Sequence, residues 1–536
     1  MLTAVSSLTG RRRAPKRASK HASVLAAVLL TLVLAGCVTH PSNTADTEFP
    51  AELTAATLAS GFEQIADRYI IPIPLSRLAV EGIRGLDTID ETVAVEHKDG
   101  QISFGAATIT TKMFPAPATE DSRDWGKVAT DVLLYARQSS NKFLLASSED
   151  LIEAVFDGSL SVTDPYSRYA GASAAQENRA KRSGFGGIGI RIKVLPEGAR
   201  ITEIFEDSPA ISSGLQVDDI VARVNGVGLA GKTRTEIREL VRGGIGSIAD
   251  LVVQRNGNET HSYSIKREKV VAPTVRLVVQ DNIIFVRITG FNVRTSQRLA
   301  RKFTKARAEL GRKAKGVILD LRGNPGGILD QAVKVADLFL VNGKILSTRG
   351  RHPSSLHEYE AGANDIAAGL PMAVLINGRS ASAAEIVAAA LQDHERAVVI
   401  GSASFGKGSV QSVGRLPNDG ELTLTWSRFV TPSGYVLHNL GVPPVVCTSA
   451  NIGNASAIIA KALADSDLLN QTLDAWHSVK PDDSPARDAL RNVCLASNKR
   501  PRVDIEIADT LLSDKALYHR VLTLSPSMAS AAKPGS

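Results

Sequence analysis

The residue with the clearest route to chemistry is a serine at the start of a predicted helix. Ser382 stands in Gly378-Arg379-Ser380-Ala381-Ser382-Ala383-Ala384-Glu385, where a strand-like apolar stretch gives way to a helical one. Such a serine commonly caps its helix, and Ser382-x-x-Glu385 fits a capping box. The same position suits a nucleophile, because helix-start N–H groups can hold an oxyanion and small neighbours leave room for a polypeptide. A general base is offered by Lys407, in Gly401-Ser402-Ala403-Ser404-Phe405-Gly406-Lys407-Gly408-Ser409-Val410-Gln411. A lysine between glycines is either solvated or buried. Burial penalises its charged form, and bringing it from about 10.4 to near neutrality takes roughly 4 kcal/mol of differential destabilisation. A neutral amine could then take the serine proton. If this run is a strand, Gln411 shares a face with Lys407 and could orient the amine.

A third cluster, Asp320-Leu321-Arg322-Gly323-Asn324-Pro325-Gly326-Gly327, is either a tight strand-to-helix turn or a source of N–H groups aimed at negative charge. Spacing from Gly401 to Gly406-Lys407 also approaches a phosphate-binding loop. Gly408 replaces the Ser or Thr that would meet magnesium, and strand-like residues follow where a helix would be needed. A nucleotide site is therefore excluded.

These clusters need elements that bring strand ends and helix starts together. From 270 to 446 the chain alternates accordingly: Ile283–Val286, Val317–Leu319 and Met372–Ile376 read as strands, and Ile328–Leu340 and Ala383–Gln392 as helices. That alternation predicts an α/β core at 269–446. Before it, residues 50–180 mix helical periodicity, as in Trp125–Arg137 and Asp150–Phe156, with loops. Residues 447–536 read as helical and polar, with a Ser525–Ser536 end too poor in apolar residues to fold.

Composition narrows the class. With 43% apolar and 22% charged residues, the chain is neither a disordered tail nor a fibrous repeat. Its net charge of +7 suggests a nucleic-acid binder, yet Arg11, Arg12, Arg13, Lys16, Arg17 and Lys20 all lie in the acid-free stretch 1–36. Without that leader the chain is nearly charge-balanced, and the nucleic-acid reading falls. The apolar run Val24–Ala35 is short of the roughly 20 residues that span a bilayer, so 1–36 reads as an export signal. It ends Leu34-Ala35-Gly36-Cys37, which resembles the bacterial lipobox. That resemblance implies a lipid on Cys37, a polar tether after it, and, with no Asp beside the cysteine, an outer-membrane anchor on the periplasmic face. Cys447 and Cys494 form either a disulfide or two separate buried thiols.

Residues 183–268 switch to short strands with glycine punctuation. "GFGGIGI" opens onto a strand, and "SPAISSGLQVDDIVARVNG", Thr235–Val241 and Leu251–Gln254 follow. This segment resembles a bacterial PDZ domain, in which a peptide extends a sheet edge and loop N–H groups receive its terminal carboxylate. The resemblance puts that loop near Gly187, Ile188 and Gly189.

Together, "LIEAVFDGSLSVTDPYSRY", the PDZ segment, "LRGNPGG", "SASAAEIVAAALQDHERA", "GKGSVQ" and "TPSGYVLHNLGVPP" resemble the carboxy-terminal processing (tail-specific) proteases over about residues 150–445. The resemblance implies a crotonase-like α/β core with the PDZ domain inserted ahead of it; the flanking regions, a tether and mostly helical stretch at 37–182 and a helical one at 447–536, match the family less clearly. It implies Ser382 as nucleophile, Lys407 as general base and Gln411 as the residue positioning it. Oxyanion donors would be Ala383 and a glycine of Gly326-Gly327. Ser380 is the rival serine, and His394 and His438 are not needed. Pro443-Pro444 departs from the Pro-Asp usual at that place. No metal or cofactor is implied. The expected partners are polypeptides with accessible C-termini and an adaptor or activator protein. A non-enzymatic peptide-binding scaffold is the alternative.

Overall fold

The computed structural model describes residues 49–524, apart from 258, 363, 364, 451 and 452. The export leader, Cys37 with its tether, and the 525–536 end lie outside the described residues.

Among the described residues the core is a six-stranded sheet. Its order runs Val275–Gln280, Ile283–Ile288, Gly316–Asp320, Met372–Ile376, Val398–Gly401, Val446–Cys447. Only the first pair is antiparallel. The Gly316–Asp320 and Met372–Ile376 strands are buried at every position, as parallel strands covered on both faces must be. Alternation divides their side chains. Val317, Leu319, Val374 and Ile376 face the layer made by the Thr295–Leu310, Leu329–Asp337 and Ala383–Asp393 helices. Ile318, Ala373 and Leu375 face the other layer, where the Ala455–Ala464, Val503–Ser513 and Lys515–Leu522 helices pack. The C-terminal region is thus one of the two layers that bury the sheet.

A second sheet runs His357–Glu360, Lys344–Gly350, Glu421–Val430, Ser409–Arg415. Arg168–Ala170 pairs with Glu421, Leu422 and Thr423 on its long strand. Residues just before the PDZ segment therefore belong to a core sheet. The PDZ segment itself is an antiparallel sheet with the Arg234–Val241 helix against it, closed on Ile201, Val221, Ile237 and Leu251. Its two ends pair with each other: Phe185 with Val270, and Gly187 with Glu268.

The helices expected at 125–137 and 150–156 lie within Ser122–Ser139 and Ser148–Leu160. An antiparallel sheet also fills the N-terminal region, with strands Ala94–Lys98, Gln101–Ala106 and Ile109–Pro115, where sequence reading expected only helices and loops. Its first turn is Asp99-Gly100, both at positive φ, which is the pairing a tight hairpin asks for.

Of the two alternatives for the cysteines, the disulfide is formed: Cys447 and Cys494 are bonded, with Cα atoms 6.0 Å apart. It fastens the end of the core sheet to the segment after the Ser484–Val493 helix. That segment then runs beside the strand ends: Gly378 donates to the Ser497 carbonyl at 2.8 Å, and the Ser497 N–H donates to Ser402 Oγ at 3.0 Å. A bridge closing a loop of this size stabilises by about 2–4 kcal/mol. Reduction should therefore lower Tm, and the Cys447→Ser/Cys494→Ser double variant should melt like reduced wild type and ignore reductant. An unchanged Tm on full reduction would show that the bridge carries no stability.

Candidate active site

Ser382 lies between the Met372–Ile376 strand and the Ala383–Asp393 helix, with φ 53° and ψ −115°. A residue with a Cβ avoids this region, at a cost of about 1–3 kcal/mol, so neighbouring groups must hold it there. The Ala381 N–H donates to the Asn324 carbonyl at 2.9 Å, and the Ser382 N–H donates to Glu385 Oε2 at 2.7 Å. Ser380 is fully buried, its Oγ donating to the Leu321 carbonyl and accepting the Asn377 N–H, both at 2.9 Å. The rival serine is thus part of the loop's bracing, whereas Ser382 lines a cavity of about 570 Å³.

The glycine turn forms the opposite side of that loop. A Cβ on Gly326 would lie 2.8 Å from the Ala381 carbonyl oxygen, 2.9 Å from Ser382 Cβ and 3.0 Å from the Ala383 nitrogen. Residue 326 is also at φ 99°. Only glycine lets the two loops touch. The Gly326 N–H is already used, donating to Asn324 Oδ1 at 2.9 Å. Around Gly327, the Phe291 N–H donates to the Gly326 carbonyl and the Ile328 N–H to the Phe291 carbonyl, which leaves the Gly327 N–H out of the bridge. Ala383 is the first residue of its helix, where an N–H has no intrahelical acceptor. Of the three residues expected to supply oxyanion donors, Gly326 has its N–H engaged, and no hydrogen bond is made by the Ala383 or Gly327 N–H among the described residues.

Lys407 sits in the loop before the Ser409–Arg415 strand, in the same cavity as Ser382, and its ammonium lies 4.9 Å from the centre of the Tyr166 ring. Burial is the main cause that pulls its pKa below the ordinary lysine value. The Arg168 guanidinium pushes the same way, while Asp164 and Glu385 pull back. No hydrogen bond joins Lys407 to Ser382 among the described residues. Gln411 departs from its expected place. Lys407 precedes the strand and a bulge falls between Val410 and Gln411, so the same-face argument fails. Gln411 Nε2 donates to Ser409 Oγ at 2.9 Å and Thr425 Oγ1 at 3.3 Å, and Thr425 Oγ1 donates to Asp164 at 3.0 Å. Gln411 still lines the cavity.

The capping-box view of Glu385 understates it. This fully buried carboxylate accepts from the Ser382 N–H, from the Gly406 N–H at 2.6 Å, from the Lys407 N–H at 2.9 Å and from Ser404 Oγ. Burial pushes its pKa up against those donors. Tyr166, Asp164 and Arg168, which surround the lysine, were also absent from the residues singled out. The quoted "DPYSRY" run contained them without indicating that they reach the site. His394 is engaged with the Lys344 carbonyl at 2.7 Å. His438 meets the Tyr166 ring edge-on, and burial takes its pKa down to about 4, so it is neutral near pH 7. No hydrogen bond links either histidine to Ser382 among the described residues.

In the PDZ segment, the Ile190–Leu195 strand is the open edge of its sheet and faces the Arg234–Val241 helix across a groove of about 510 Å³. The expected loop residues lead into that strand but do not supply its lining. Ile188 is in the core, and a Cβ on Gly189 would meet Ser208 at 2.0 Å. The apolar lining is Phe185, Ile190, Ile192, Phe205 and Val241.

Family models match at two places: peptidase family S41 over residues 282–447, and the PDZ domain over 186–265. A carboxy-terminal-processing protease of Bartonella bacilliformis is 36% identical over 314 residues, covering 58% of this chain and 72% of that protein. A probable CtpA-like serine protease of Staphylococcus haemolyticus is 31% identical, covering 63% and 68%. Among solved structures, the photosystem II D1 C-terminal processing protease aligns at 21% identity and a TM-score of 0.36, over 73% of this chain and 92% of that one. The class is thus a PDZ-bearing serine peptidase of mixed α/β fold. The chain belongs to the carboxy-terminal-processing proteases of peptidase family S41.

The contact at Gly326 makes a direct test. Gly326→Ala must displace the serine loop, and a shift of about 1 Å at reacting atoms costs about 100-fold. The expected result is a loss of kcat of that order, with far-UV CD and cooperative melting retained. Wild-type turnover would show that the loops have slack.

Proposed function

We propose that this protein is a serine endopeptidase that captures a polypeptide by its C-terminus and cleaves it with a Ser382–Lys407 dyad. The reading rests on one observation: Ser382, Ala383, Gly327, Lys407 and Gln411 line a single cavity beside a strained serine backbone. Neutral Lys407 takes the Ser382 Oγ proton as that oxygen attacks the scissile carbonyl. The Ala383 and Gly327 N–H groups receive the oxyanion. Lys407 then returns the proton to the departing amine and activates water for deacylation. Gln411 acts through Ser409, Thr425 and Asp164, setting the wall the lysine rests against. The open strand edge and its groove suit strand addition by a substrate tail.

Because Ser382 and Lys407 share no hydrogen bond in this arrangement, the reading includes a resting form that closes on tail capture or on an activating partner. The lipobox carries a proposed location: exported, lipidated at Cys37 and held at the outer membrane, facing the periplasm. Cys37→Ser should move the protein from the membrane fraction to the soluble envelope fraction. Unchanged membrane recovery would remove the lipid anchor.

On an unfolded substrate with an apolar C-terminus, Ser382→Ala and Lys407→Ala should each lose cleavage by a factor of about 1000 or more. Because the base must be neutral, kcat should rise with pH through the lysine's pKa. Its depressed value puts that rise below the ordinary lysine range of about 10.5. Cleavage by Ser382→Ala equal to wild type would sink the assignment, as would a rate that climbs only above pH 10.

A further inference from the structure

The charge lining the two cavities exceeds what a single substrate terminus can answer. The PDZ groove is lined by Lys181, Arg191, Arg234, Arg238 and Arg242 against one carboxylate, Glu177. Glu177 is already occupied, 2.8 Å from Arg242 and 3.4 Å from Arg238. Arg191 pairs at 2.7 Å with Glu203, which does not line the groove. Arg234 forms no ion pair among the described residues, and Lys181 acts on Glu177 only at a distance. Lys181 also lines the Ser382 cavity, together with Arg168, Lys407 and Arg182; no carboxylate lines that cavity, although Glu421 outside it answers Arg182 at 2.6 Å. The chain past residue 36 is nearly charge-balanced, so this is local placement of charge and not a property of the whole surface.

The geometry also sets a register. The Gly243 N–H donates to the Gly186 carbonyl at 3.1 Å, and the Arg242 guanidinium stacks 3.9 Å over the Phe185 ring. The end of the Arg234–Val241 helix is therefore fixed against the loop where a terminal carboxylate would enter. A terminal carboxylate received by the N–H groups of that loop therefore sits at this end of the helix. Arg234 lies eight residues back along the helix, about 12 Å at 1.5 Å per residue. An extended peptide rises about 3.3 Å per residue, so Arg234 meets a side chain three to four residues before the terminus.

We infer that the groove selects acidic tails: polypeptides with an apolar C-terminal residue and a carboxylate side chain three or four positions upstream. This rests on the capture reading above and names the substrate class for it. Exposed pairs are individually weak, but five cations against one carboxylate in the lining, two of them without an ion pair, discriminate by sign around one strand-like ligand and steer its approach.

The test uses the full-length mature chain with Ser382→Ala and three fluorescent peptides alike except for Glu, Gln or Lys at the two positions three and four residues before an apolar C-terminal residue. By anisotropy, the Glu tail should bind about tenfold tighter than the Lys tail at low salt, with Gln between and the spread narrowing as salt rises. Arg234→Glu, at an exposed helix start, should remove most of the preference for the Glu tail over the Lys tail, and an undiminished preference would overturn the register. Equal affinity of all three tails would overturn the charge selection while leaving tail capture intact. Binding of none would remove capture itself and this inference with it. Displacement of every tail by anionic lipid vesicles, regardless of sequence, would also overturn it, because the cations would then serve a membrane surface.

Discussion

A single buried carboxylate holds the site together. Among the described residues no cation is bonded to Glu385, and an ionised carboxylate removed from water is costly unless donors replace its hydration. Here the donors come from two separate loops, with the Ser382 N–H on one side and Ser404, Gly406 and Lys407 on the other. The relative position of serine and lysine is thus set by one side chain neither could supply. Ser404 Oγ also accepts the Val442 N–H at 2.7 Å, which extends the same network into the 431–444 motif. That motif shields the lysine loop: the Gly406 carbonyl accepts from Asn439, and Gly408 touches the His438 backbone so closely that a Cβ would lie 2.2 Å away.

The strained serine needs support from a third direction. Asn377 and Asn324, both buried, tie the serine loop to the glycine turn. Asn377 Oδ1 accepts the Gly323 N–H at 2.8 Å, and Asn324 Nδ2 donates to the Ile288 carbonyl at 2.9 Å. Asn377 Nδ2 in turn donates to the Lys499 carbonyl at 3.0 Å, so the segment after the disulfide closes the back of the site. The segment that leads into the C-terminal helices therefore also keeps the Ser382 loop from relaxing. Conformational strain persists only where surrounding contacts over-determine it, and here they arrive from the strand ends, the glycine turn and the C-terminal segment.

Much of this was legible in the sequence because chemistry and periodicity coincide. The buried strands at 316–320 and 372–376 are continuous apolar runs, and the helix starting at Ala383 announces itself through Ser382 and Glu385. The carboxylate's second role was hidden because its partners are main-chain N–H groups, which no residue type reveals. Gln411 was misplaced because a same-face argument assumes an unbroken strand, and a bulge at Val410/Gln411 breaks it. The Ala94–Lys98 strand escaped notice because it buries no side chain and so lacks the alternation that marks a strand. Its Asp99-Gly100 turn was the one local sign. The choice of Gly327 over Gly326 required knowing that Asn324 folds back on its own turn.

The PDZ module enters and leaves through paired residues, Phe185 against Val270. Directly opposed residues on antiparallel strands lie about 4.5–5.5 Å apart, so the core holds the ends of an 84-residue excursion almost as close as the ends of a hairpin. The entropy of closing so long a loop falls on the module's own fold and not on the catalytic core. To the core, the module is topologically equivalent to a short turn. A recognition unit attached in this way is free to diverge in charge and length while the peptidase beneath it keeps its folding problem unchanged.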